Sequence, residues 1–300
     1  MTLTIYNKIS IIDLVFFLPA LAIAGLLTYR HGFRRSSGWI YLVLLSLMRI
    51  LGSSMQLATI KQPDNINIII GAQTLQNIGL SPLILVILGL ITRVQQAIPE
   101  QSRPRLPNSR TLRLIQLTVI VGLILIIVGG INMGNDIGNA LSNGEAISYT
   151  VPSESKAGIA LMIVGYVLIV VSAGFIALSI SSVPSGEKRL IVAIFAAMPF
   201  VLVRLVYSSM ATFNSSNDNF HQYSGSANAG YYVLGMCTVM EIASVLIFET
   251  VGLTLPYASR NDARQSTNSA SGQPLNAFPT QEDSASEPHY FPKERESVQV

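Results

Sequence analysis

Of 300 residues, 50% are hydrophobic and only 12% charged, where an ordinary soluble domain carries roughly a quarter charged residues. Such a composition belongs in a bilayer rather than in water. The one cysteine (Cys237), three scattered histidines (His31, His221, His289) and a net charge of +3 sorted by membrane side exclude an internal disulfide, a protein-only metal site and a nucleic-acid partner.

A helix needs about 20 apolar residues to cross a hydrocarbon core. Runs of that length recur seven times, at 10–29, 39–60, 66–91, 114–131, 157–180, 190–213 and 230–255. Backbone groups in lipid must be satisfied within each segment, and no ten-residue alternation marks a barrel, so the expected fold is all-α, a polytopic bundle of seven transmembrane helices. Residues 256–300 turn to Ser, Asn, Gln and Pro with mixed charge, the composition of a disordered tail. The chain therefore divides into a transmembrane domain, 1–255, and a tail, 256–300.

Basic residues give the direction. Connections on one side carry Arg30, Arg34, Arg35, Arg93, Arg103, Arg105, Arg110, Arg113, Lys188, Arg189, Arg260 and Arg264, and those on the other only Lys8, Lys61 and Lys156. Twelve against three predicts an outside or lumenal amino terminus and a cytosolic tail. The sequon at Asn214 falls in a connection expected outside, which makes Asn214 the expected glycosylation site. The first run has no basic leader and no small-residue cleavage site, and reads as a retained helix.

The second and sixth runs share a pattern at an offset of 155: Arg49, Ser53, Ser54 and Met55 sit in one, Arg204, Ser208, Ser209 and Met210 in the other. With runs one to three and five to seven pointing the same way, this predicts a 3+1+3 parallel repeat with the fourth helix as an inverting linker.

Ionisable groups at bilayer depth are expensive, and five occur: Asp13, Arg49, Arg204, Glu241 and Glu249. At about 1.5 Å per residue, Arg49 and Glu241 lie about 16 and 17 Å from the outer ends of their helices, Arg204 about 14 Å and Asp13 about 5 Å. Arg49 and Glu241 share a depth and are expected to pair, either as an ion pair that fixes helix register or beside a midplane cavity. Gln73, Gln76 and Asn77 of the third run and Tyr207 of the sixth are the further cavity candidates. Pro82 and Pro199 are expected to kink their helices. The motifs for ATP hydrolysis, zinc proteolysis and serine hydrolysis are missing, and no aspartate cluster is present to hold magnesium against a diphosphate.

The stretch from His31 through Trp39 and Tyr41 to Arg49 and Gly52, with Met198-Pro199-Phe200, Arg204, Tyr207 and Met240-Glu241, resembles the signature of a fungal family of seven-span membrane proteins. Its characterised members are membrane-bound terpene cyclases of ascochlorin- and macrophorin-type meroterpenoid pathways. The resemblance covers the seven helices but not the tail. It implies an endomembrane protein, in the endoplasmic reticulum or another endomembrane, that cyclises the prenyl chain of a hydrophobic substrate by protonation and carbocation chemistry, an isomerase or lyase without cofactor or metal. Such a reaction needs a protonated carboxylic acid in an apolar setting and aromatic faces for the cation. Glu241, Glu249 and Asp13 are the candidate acids. Pairing with Arg49 would keep Glu241 ionised and pass the role to Glu249 or Asp13. Two other readings follow from the residues: a transporter or lipid-handling protein using Arg49 and Arg204 as symmetry-related binding groups, and, with less support, a seven-span receptor.

Overall fold

A computed structural model describes residues 4–31, 37–62, 65–98, 107–143, 151–180, 183, 186–214, 219–220 and 228–255. Seven helices are long and apolar enough to cross a membrane, and no strand occurs among the described residues, so the fold is an all-α polytopic bundle. The expected tail, 256–300, and the Ser215 and Ser216 of the sequon lie outside the described residues.

The first two spans are α1 (Ile5–His31) and α2 (Ser37–Ala58). The third is two helices, α3 (Ile66–Ile78) and α4 (Leu80–Ala97), and the next three are α5 (Ser109–Asn143), α6 (Ser153–Leu178) and α7 (Lys188–Phe213). The seventh is composite: α8 (Ala229–Tyr232), a π-helical turn (Val233–Val239) and α9 (Met240–Thr254). The described basic residues Arg30, Arg93, Arg110, Arg113, Lys188 and Arg189 fall at one end of these helices, called below the basic end, and Lys8, Lys61 and Lys156 at the other.

α4 is the hub. It is apolar on every face, from Leu83 to Leu88 without a break, and packs against α2, α5, α6 and α7. A helix hydrophobic all round must be covered by other helices. By contrast α5 shows a lipid-facing stripe of Leu114, Leu117, Val121, Ile124, Val128 and Ile131. α5 is nevertheless more than an inverting linker, because it packs on α3, α4 and α6.

Two helix ends are tied by side chains. Arg30 of α1 donates to the Leu253 and Leu255 carbonyls at 3.3 and 3.4 Å, supplying partners that the end of α9 otherwise lacks. Gly252 of α9 packs so closely on Trp39 that a Cβ there would sit 2.7 Å from the indole, so only glycine lets α9 approach α2 at this level.

The kink expected at Pro82 is instead a break three residues earlier, at Gly79. Pro82 stands in the first turn of α4, where its missing N–H leaves the Ile78 carbonyl without its usual i+4 donor, and Ser81 Oγ donates to that carbonyl at 3.1 Å. Pro199 lies inside a continuous α7.

Candidate functional site

Four charges from four spans meet in the half of the bundle away from the basic end. Glu241 of α9 is fully buried, and its two carboxylate oxygens are shared between two guanidiniums. Arg204 Nε of α7 donates to Oε1 at 2.7 Å, and Arg49 of α2 makes a close ion pair with Oε2. Arg49 Nη1 also lies 3.6 Å from Asp13 Oδ2 of α1, which accepts from Ser53 Oγ at 3.2 Å. Arg204 spends its remaining donors on Ser208 Oγ and on the Gln76 carbonyl of α3, the latter at 3.3 Å, and its guanidinium stands 5.9 Å from the Tyr207 ring centroid. Two positive and two negative groups balance, which is the condition for burying charge at this depth.

Backbone features make room for the cluster. Gly79, at the break between α3 and α4, has ordinary helical angles, but a Cβ there would lie 2.9 Å from Glu241 Oε1 and 3.2 Å from Arg49 Nε. The glycine is needed for space, not for conformation. The π-helical turn ends just before Glu241, where the wider turn resets the face that α9 presents inward.

The Arg49–Glu241 pair expected from depth is present. The depth of Asp13 needed correction: α1 begins at Ile5, so Asp13 lies eight residues in, about 12 Å at about 1.5 Å per residue, and this levels it with Arg49. Ser53 and Ser208, which the 155-residue offset pairs, each four residues after its arginine, stand in the sequence only as members of the repeat and join the site in the structure. The offset does not extend to the acids: Leu168 and Val86 occupy the positions equivalent to Asp13 and Glu241.

A cavity of about 120 Å³ adjoins the cluster, between α3, α5, α6 and α7. Gln73, Asn77 and Tyr207 line it as expected, whereas the lining excludes Gln76, Arg49, Arg204 and all three candidate acids. Ser208 joins the two features, with its oxygen accepting from Arg204 and its side chain facing the cavity. α5 and α6 supply walls that no charged or amide pattern in the sequence announced, among them Gly130, Met133, Gly134 and Ser155.

Glu249 stands apart, in the basic half of the bundle. It is 4% exposed, and its Oε1 has no hydrogen-bond partner among the described residues. Phe248 beside it is fully buried, and Gly252, three residues on and on the same helical face, touches Trp39. Trp39 in turn lies against His31, with ring centroids 5.6 Å apart.

Asn214 caps the end of α7, its N–H donating to the Met210 carbonyl at 3.0 Å. Among the described residues no group of three or more metal-ligating side chains is assembled.

No curated protein and no solved structure matches the chain. One family model does, over residues 3–258, and its description is a domain of unknown function, DUF7702. With its whole helical bundle inside that match, the chain belongs to the DUF7702 family.

Proposed function

We propose that this protein is a membrane-bound terpene cyclase that closes the prenyl chain of a meroterpenoid precursor by protonation, without metal or cofactor. The resemblance of the segment from His31 to Gly52 supports the reaction class. One observation supports the chemistry: of the three intramembrane carboxyls, Glu249 alone is buried with no cation paired to it among the described residues. Glu241 gives both oxygens to guanidiniums, and Asp13 has Arg49 at 3.6 Å and accepts from Ser53, so both belong to the charge cluster. Glu249 is therefore the assigned acid.

In the proposed step the Glu249 O–H bond breaks and a C–H bond forms at the terminal alkene carbon, leaving a tertiary cation. Ring closure moves the cation along the chain, and loss of a proton from carbon to the carboxylate regenerates the acid, for a net isomerisation. Phe248, the preceding residue in the chain, and Trp39, which packs on Gly252 one turn further along the helix, are the aromatic side chains of this region. The amino terminus and Asn214 are assigned outside or to the lumen of an endomembrane, with Asn214 as glycan acceptor.

The test is turnover by microsomes carrying the protein, supplied with a prenylated phenol or cyclohexenone, or its epoxide, in the presence of a chelator. Product should form, and Glu249→Gln, which keeps shape but removes the transferable proton, should lower the rate by a factor of about 10² or more. Undiminished turnover in Glu249→Gln, or loss of turnover on chelation, would refute the mechanism.

A second reading, a transporter or lipid-handling protein, is favoured by the cavity next to the cluster. Protein-dependent movement of such a substrate across vesicles, with no new product, would select it.

A further inference from the structure

What sets the cavity wall apart is how many polar side chains without a partner among the described residues converge on it. Many helix hydroxyls elsewhere turn back to their own backbone: Thr28, Thr92, Ser172, Ser209, Ser244 and Thr250 all donate to the carbonyl four residues earlier, at 2.7 to 2.9 Å, while Ser10, Ser46 and Thr238 are buried singly without such a partner. Around the cavity Gln73, Thr74, Asn77, Ser155, Tyr207 and Thr212 make no hydrogen bond with any described residue. Asn77 is exposed and Gln73, Thr74, Ser155 and Thr212 are half-buried, so these groups stay open to a partner from outside the protein. Six polar groups converging on one cavity mark a place for a molecule that completes their bonds.

Three properties define that occupant. None of the lining side chains is charged, so an ion would be desolvated there with no counter-charge. The volume, about 120 Å³, approaches the roughly 150 Å³ that admits one benzene ring and falls well short of the roughly 300 Å³ where drug-sized pockets begin. Ser208 accepts from Arg204, so its own hydroxyl proton is free to point into the cavity, and the charged donor behind it strengthens it as a donor.

We propose that this cavity binds one uncharged, oxygen-bearing group the size of a single six-membered ring, with Ser208 donating to its oxygen and Gln73 and Asn77 bonding its edge. A free phenol or cyclic ketone and the head ring of a larger prenylated molecule share that chemistry. The inference concerns what the cavity admits and holds under either reading of the function.

The experiment is fluorine NMR of the full-length protein in detergent, with 4-fluorophenol as probe and fluorobenzene and 4-fluorobenzoate as size-matched controls. Ala211→Phe adds a ring to the cavity lining and so takes up its space, and this variant reports partition into the micelle, so binding is the difference between wild type and this variant. Specific line broadening is expected for 4-fluorophenol, weaker for fluorobenzene and undetectable for 4-fluorobenzoate. Ser208→Ala should raise the Kd about three- to tenfold. Asn77→Leu, which leaves the charge cluster untouched, should also raise it and keeps the test decisive if Ser208→Ala fails to fold. Displacement of the probe by a 4-fluorophenol bearing a geranyl chain would identify the head of a larger molecule as an occupant, and its absence would restrict the site to the free ring. No difference between wild type and Ala211→Phe means that the cavity holds water only. That result, or equal binding of all three probes, overturns the proposal, whereas its failure would leave turnover through Glu249 untouched.

Discussion

Arg49 and Arg204, 155 positions apart in the chain, approach the two oxygens of the same carboxylate, Glu241. The second and sixth spans are thereby locked to the seventh, while Asp13 and the Gln76 carbonyl bring in the first and third. The arginines that the repeat marks as equivalent meet at one point instead of forming two separate binding sites.

Removing one member of this cluster leaves a buried charge uncompensated, which costs about 3 to 5 kcal/mol. Arg49→Ala and Glu241→Ala are each expected to destabilise the bundle by about that amount, and the double variant by less than their sum. Unfolding in mixed micelles measures the cycle. Additive losses would show that the two residues do not depend on each other.

Arg204 serves three acceptors at once: Glu241, Ser208 and the Gln76 carbonyl. An ammonium keeps the charge but cannot present that planar fork. Arg204→Lys should therefore lose about 2 kcal/mol or more through acceptors left unpaired. Unfolding midpoints within error of wild type would mean that charge alone suffices.

Gly79→Ala places a methyl group 2.9 Å from Glu241 Oε1, against side chains held by ion pairs. The expected cost is about 1 to 3 kcal/mol. Gly174→Ala in α6, where a Cβ meets nothing within 4 Å, should be neutral or slightly stabilising. The contrast between the two midpoints is the measurement, and equal behaviour would contradict the space argument.

The sorting of basic residues predicts Asn214 on the lumenal side and the region after 255 in the cytosol. Glycosidase-sensitive mass on wild type that disappears in Asn214→Gln is the expected result. Modification of a sequon engineered after residue 255, with none at Asn214, would turn the protein over.

Much of this molecule was legible before folding. All seven spans follow from apolar runs, because hydropathy accumulates along the chain and needs no knowledge of neighbours. The same arithmetic picked out Asp13, Arg49, Arg204, Glu241 and Glu249 as costly and put Arg49 level with Glu241. Depth, however, is one coordinate of three. Which way a helix is turned and which helices adjoin it decided that Arg204 joins Arg49 on Glu241, that Glu249 pairs with no cation among the described residues, and that Gln73 and Asn77 face a cavity from which Gln76 is excluded. The break at Gly79 was invisible for a related reason. Pro82 marks a place where the helix can end, but the need for glycine at 79 lies in α2 and α9, whose Arg49 and Glu241 side chains fill the space a Cβ there would take. The cavity walls from α5 and α6 are ordinary small and apolar residues, and only the packing of those helices against α3 and α7 gives them a site to line.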